Sequence, residues 1–246
     1  MSAFLRIRRA EWQKLRKSTI WLLILVGPFF SALMGGLDLS LPGEERWGEL
    51  LTNMAAGQGL FFLPLFTGIF AAFVCRFEHL DGGWKQLLAL PVSRATVYWV
   101  KLVIVLELIV AMQVIFLGAY WLVGELRGIP GDIPWKMVLT SVGGGVLGAI
   151  PIAALQLAVS VGWTSFAGPL SLGVMLTIPN ILVVNSVKIG PWYPWAQPFL
   201  AMMPRLKEAD AFGALNLSLP TILVVIAGGA VLFIAAGLTY FCRKEI

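Results

Sequence analysis

Long apolar runs constrain this chain more than any other feature. A helix that crosses a bilayer needs about 20 mostly apolar residues. Six stretches reach that length: 19–37, 54–75, 100–123, 137–161, 166–187 and 220–242. The fourth and fifth are separated only by a short neutral turn at 162–165. Charged residues make up 13% of the 246 positions, against about a quarter in a soluble domain, too few to coat a water-facing surface. The sequence therefore predicts an all-α membrane protein with six transmembrane helices, in which 1–246 form a single domain without internal repeats.

Six spans place both termini on one face. That face receives Arg6, Arg8, Arg9, Lys14, Arg16, Lys17, Arg76, Lys85, Arg94, Lys101, Arg243 and Lys244. The other holds Arg46, Arg127, Lys136, Lys188, Arg205 and Lys207 together with most of the acidic residues. Cations accumulate on the cytoplasmic side, so both termini and the 76–99 loop are expected in the cytoplasm. The net charge of +5 does not point to nucleic acid, because the basic residues flank apolar runs instead of forming an aromatic-interleaved patch. The basic start runs into an apolar stretch without a small-residue cleavage site, and is expected to be retained. Cys75 and Cys242 each close an apolar run, and His79 is the one histidine. That spacing suits neither a zinc nor a haem site, and a disulfide is not expected on a cytoplasmic face.

Three segments are not plain spans. In the arm at 1–17, Phe4, Leu5, Trp12 and Leu15 share one side of a helical wheel, although Arg8 intrudes. Such an arm can lie in the membrane interface, with Arg8, Arg9, Lys14 and Arg16 reaching lipid headgroups around Trp12. The loop at 188–219 sets Trp192, Tyr193 and Trp195 among Pro191, Pro194 and Pro198, followed by the apolar run PFLAMMP. It is longer than a connection requires, and a re-entrant or interfacial helical element is expected before the last span. In the 76–99 loop, Asp81-Gly82-Gly83 makes a turn. Trp84, Leu87, Leu88 and Pro91 then recur at i, i+3, i+4 and i+7, a helical apolar stripe. The result is an amphipathic helix of about two turns, too short to fold alone, whose apolar face needs lipid, its own bundle or a partner.

Inside the spans, Glu107 is an ionisable residue at a depth where charge is costly, and so a candidate for a transport role. Gln113 falls on nearly the opposite side of its helix. Gln156, Asn180 and Asn185 are further polar candidates, and Gly143, Gly144, Gly145 and Gly148 offer a surface for close helix contact. An intramembrane enzyme would need paired carboxylates, a histidine cluster or a nucleophile with its base, and no span carries such a set.

The pattern Glu78, small turn, Trp84, Leu87-Leu88, Pro91-Val92-Ser93-Arg94 and Lys101 resembles the first cytoplasmic loop of ABC-2 type permeases. It is most similar to the lantibiotic-immunity and bacitracin-resistance subunits. The resemblance implies a six-span half-transporter of the bacterial plasma membrane. It also implies that Glu78, Asp81, Trp84, Leu87, Leu88, Pro91 and Arg94 form a coupling helix that docks on a separate ATPase, with the arm as a second contact. The chain lacks G-x-x-x-x-G-K-[ST], so ATP and magnesium would belong to the ATPase, and no cofactor and no catalysis are expected of the chain itself. A second permease, identical or not, would complete the transporter. The implied task is the export or removal of a lantibiotic-like peptide, or of another amphipathic compound, from the membrane. Two alternatives stand beside it: an ABC-2 permease for an unrelated lipid or drug, and an ion-coupled secondary transporter. The second would suit broken helices but lacks evident inverted repeats.

Overall fold

The computed structural model describes residues 3–16, 18–37, 45–80, 82–89, 91–205 and 213–244. All regular structure among them is helical, in the order α1 (Ala3–Arg16), α2 (Ile20–Leu37), α3 (Arg46–Gly57), α4 (Leu63–His79), α5 (Gly83–Leu88), α6 (Arg94–Leu126), α7 (Trp135–Gly162), α8 (Ala167–Thr177), α9 (Asn180–Val183), α10 (Gln197–Met202) and α11 (Leu219–Arg243). Among the described residues, five helices are long and apolar enough to cross a membrane: Ile20–Leu37, Arg46–His79, Arg94–Leu126, Trp135–Gly162 and Leu219–Arg243.

The fifth expected span, 166–187, differs. It is broken into α8 and α9, and the apolar helical stretch Ala167–Val183 falls short of spanning length. Pro179 precedes α9 at the break. Its ring nitrogen has no proton to give, so the bond back to the preceding turn is missing at this point. The second expected span, by contrast, is longer than its apolar core, because α3 and α4 run together through a π-turn at Gln58–Phe62. Pro64 lies at the start of α4, where its missing donor shifts the ladder locally.

That π-turn carries Gln58 into a polar relay. Ser31 Oγ donates to Gln58 Oε1 at 3.0 Å, Gln58 Nε2 donates to Gln113 Oε1 at 3.2 Å, and Gln113 Nε2 donates to the Val142 carbonyl at 3.2 Å. Four helices, α2, the α3–α4 span, α6 and α7, are thereby joined through buried side chains. Lipid tails are as apolar as leucine, so helices in a bilayer gain little from burying apolar surface against one another. Such hydrogen bonds and close packing then decide how they associate.

Close packing is most evident along α7. A Cβ on Gly148 would lie 2.8 Å from Pro198 Cα, and one on Gly144 would overlap the Ala201 carbonyl. Gly59 meets α10 in the same way, with Phe199 Cα 2.7 Å from where its Cβ would be. The small residues therefore let α10 lie directly on the backbones of α7 and the π-turn. Gly145 belongs to this surface, whereas Gly143 has open space beside it. The loop at 188–219 thus contributes buried Trp195, Phe199 and Leu200 to the interior, while Trp192 stays exposed. Asn180 ties the broken helix to it, with Nδ2 donating to the Leu60 and Trp195 carbonyls at 2.9 and 2.8 Å. Gln156 is buried where α4 and α8 cross at Gly68 and Gly173, and Asn185 is exposed.

Candidate coupling site

α5 begins where the backbone turns sharply between two spans. Gly82 takes φ +72°, a conformation that glycine adopts without steric cost, and a Cβ on Gly83 would lie 2.9 Å from the Phe77 carbonyl oxygen. These two glycines fold α5 back against the end of α4. At the far side, Ser93 caps α6 by accepting from the Thr96 amide at 3.1 Å, a contact of a kind worth about 1 kcal/mol.

Trp84 is the side chain that seats α5. It is 6% exposed. Its ring centroid lies 5.3 Å from that of Phe241 on α11 and 5.7 Å from that of His79 on α4. The Lys101 ammonium of α6 sits 5.5 Å from the same ring, within cation–π range. Trp84 Nε1 donates to His79 Nδ1 at 3.3 Å, and His79 Nε2 lies 2.7 Å from the Ser160 carbonyl of α7. One side chain of a six-residue helix therefore contacts three spanning helices and reaches a fourth through His79.

A buried charge network lies beside it. The Lys101 ammonium donates to Glu11 Oε2 at 3.0 Å, to Glu78 Oε2 at 2.7 Å and to the Val74 carbonyl at 2.8 Å. Lys14 bridges the same two carboxylates from the more exposed side, at 2.5 Å to Glu11 and 2.6 Å to Glu78. Burial pushes the Glu11 carboxyl up, but the Lys101 and Lys14 ammoniums outweigh it and hold the group below its ordinary value. The arm is thus fastened to α4 and α6 by charge.

Glu107 extends that attachment. Arg8 meets Glu107 Oε1 through Nε at 2.8 Å and through a terminal nitrogen at 2.5 Å, and Trp12 Nε1 donates to Oε2 at 2.5 Å. Its charge is answered by the arm and not by a group of its own helix. Gln113 does not pair with it and serves the relay instead.

Several sequence expectations change here. Of the expected stripe on α1, Leu15 is buried and Phe4 and Trp12 pack half-buried on the core, but Leu5 is half exposed, and Ile7 and the paired Glu11 join the packed face. Arg9 and Arg16 are exposed. The residues expected to meet an ATPase differ in exposure. Glu78 and Trp84 are buried within the chain, Leu87 and Leu88 pack half-buried on the same core, and Pro91 is exposed, as are Lys85 and Gln86 of α5 outside that set. The stripe is occupied by this chain because the bundle offers it Phe241 and His79. Arg94 turns to the end of α11, where it donates to the carbonyls of Phe241, Cys242 and Lys244. A cation at a helix C-terminus satisfies orphan carbonyls and the helix dipole together. Asp81 lies outside the described residues. Glu11 escaped sequence reading, and its signal was that it is the one acid in a basic arm.

Residues 8–180 match the family model described as ABC-2 family transporter protein. That match takes in the arm from Arg8 onward, the buried charge network, α5 and its flanking spans, well over half of the chain. The chain belongs to the ABC-2 transporter family. A search of curated proteins returns no match. An ABC-2 permease is the membrane part of an ABC transporter and has an ABC ATPase for its partner. In this permease, α5 with its exposed Lys85 and Gln86 is the short helix between two spans, and the charged arm lies against the same end of the bundle.

Proposed function

We propose that this ABC-2 permease receives force from a separate ATPase at α5 and uses it to remove an amphipathic molecule, such as a lantibiotic-like peptide, from the membrane. The contact of Trp84 with His79, Lys101 and Phe241 carries the reading. A push on the exposed face of α5 would pass through that ring into α4, α6 and α11 together, and through Lys101 into the arm. The chain supplies no chemistry in this scheme: ATP and magnesium belong to the ATPase, and a second permease faces the lipid-exposed helices.

Orientation follows from charge. Positive residues gather at the end that holds α5, α1 and the tail of α11, which supports cytoplasmic termini. The broken α8–α9 segment starts beside the end of α7, and Val184 accepts from the Ala214 amide close to the start of α11. That path supports a sixth crossing made by a short helix pair. The tight seat of α10 on Gly148 and Gly59 supports a re-entrant 190–205 segment that returns outward along α7.

The test is transport in proteoliposomes containing the permease and its ATPase. Trp84→Ala is expected to keep ATPase binding through Lys85 and Gln86 while lowering transport per ATP hydrolysed by at least tenfold. Full transport in that variant overturns the reading.

A further inference from the structure

At the end of the bundle opposite the termini, a cleft of about 610 Å³ opens between the start of α7, the segment after α10 and the start of α11. Its volume falls in the range of small-molecule sites. Met137, Met202 and Met203 line it, and methionine surfaces adapt to flexible apolar groups. Two cations, Lys136 and Arg205, are among the lining residues, and among the described residues no carboxylate lines the cleft.

Among the described residues, two polar atoms there are unanswered. Ser141 is 2% exposed and its hydroxyl has no partner, although a helical serine ordinarily turns back to a carbonyl one turn earlier. The Arg205 side chain spends its terminal nitrogens on the Met203 and Leu200 carbonyls, each at 3.0 Å, and its buried Nε has no partner among the described residues. Burial disfavours its charge and lowers its pKa. An unpaired buried donor and a partly desolvated cation beside an apolar cleft are complementary to an anion that carries an apolar body.

We infer that this cleft binds an amphiphile with an anionic headgroup, the apolar part lying along the three methionines and the headgroup meeting Arg205, Lys136 and the Ser141 hydroxyl. The inference names the class of amphipathic cargo in the reading above, and rests on that reading only for calling the ligand cargo.

The test is native mass spectrometry of the whole permease, released from detergent with phosphatidylglycerol or with phosphatidylcholine of the same chains, and with glycerol phosphate as a chain-free competitor. Phosphatidylglycerol is expected to bind about tenfold more tightly, the scale of one charge-assisted hydrogen bond. The Lys136→Gln/Arg205→Gln double variant should erase that preference. Thr140→Trp, at an exposed position on the cleft wall, should weaken binding of both lipids with the fold intact. Equal binding of the two lipids, a preference that survives the double variant, or unchanged binding in Thr140→Trp would overturn the inference. Full competition by glycerol phosphate would also overturn it, by reducing the site to a simple anion site. Binding is read without the ATPase, so a failure of coupling at α5 leaves this result unmoved, and a coupled transporter indifferent to anionic lipid overturns this inference alone.

Discussion

The Lys101 ammonium donates to Glu78 Oε2 across 2.7 Å, and each of the two side chains keeps only 2% of its surface exposed. Removing one member of a buried pair leaves an uncompensated charge and typically costs 3–5 kcal/mol. Lys101→Met leaves Lys14 as the one ammonium facing both Glu78 and Glu11, so its loss should fall within about 3–5 kcal/mol. Thermal unfolding of the detergent-solubilised variant, followed by size exclusion, checks this. A melting temperature equal to that of the parent would show the network to be energetically idle.

Acid should loosen the arm. The folded Glu11 carboxyl titrates below its ordinary value of 4.5, so its stabilisation is fully present above that value. It is lost as pH falls through the depressed folded value. Stability measured from pH 7 down to pH 3 should therefore drop in the acid limb. Glu11→Gln should start lower at neutral pH and lose less on acidification. A parallel decline in both proteins would contradict the assignment.

Glu107 anchors the arm and need not touch cargo. Glu107→Gln should leave the spans folded and raise amide exchange across α1 severalfold. Arg8→Gln should do the same, and the double variant should add little to either single change, as expected of two groups in one interaction. Additive effects would place Glu107 in some other contact.

Gly148 is needed because α10 lies on its backbone. Gly148→Val puts branched carbons where Pro198 Cα already stands 2.8 Å from the Cβ position, an overpacking of about 1–3 kcal/mol. Gly143→Val, with open space beside it, should be nearly silent. The pair of melting temperatures decides whether α10 is seated as described.

The apolar runs made five spanning helices readable from sequence, because twenty consecutive apolar residues have few other uses. The fifth run was less readable: hydropathy at 166–187 does not register the break at Pro179. The short helix after Gly82-Gly83 was visible in its periodicity, but periodicity cannot say what covers a stripe. Trp84 turned out to face Phe241, which is 157 residues away in the chain. The partners of Glu107 were hidden for the same reason, since Arg8 and Trp12 come from 99 and 95 residues before it. Gln58 and Ser31 gave no signal, because a lone amide or hydroxyl in a span looks alike whether it joins a relay or faces lipid.

A separate ATPase is proposed to push this permease at the exposed face of α5. Site-specific photocrosslinking from position 86, with position 122 on the exposed apolar face of α6 as the control, tests it most directly in membranes carrying both subunits. Position 86 should give a strong crosslink to the ATPase that changes when ATP binds, and position 122 none. A Gln86 probe that never reaches the ATPase, in membranes where transport still consumes ATP, would contradict it.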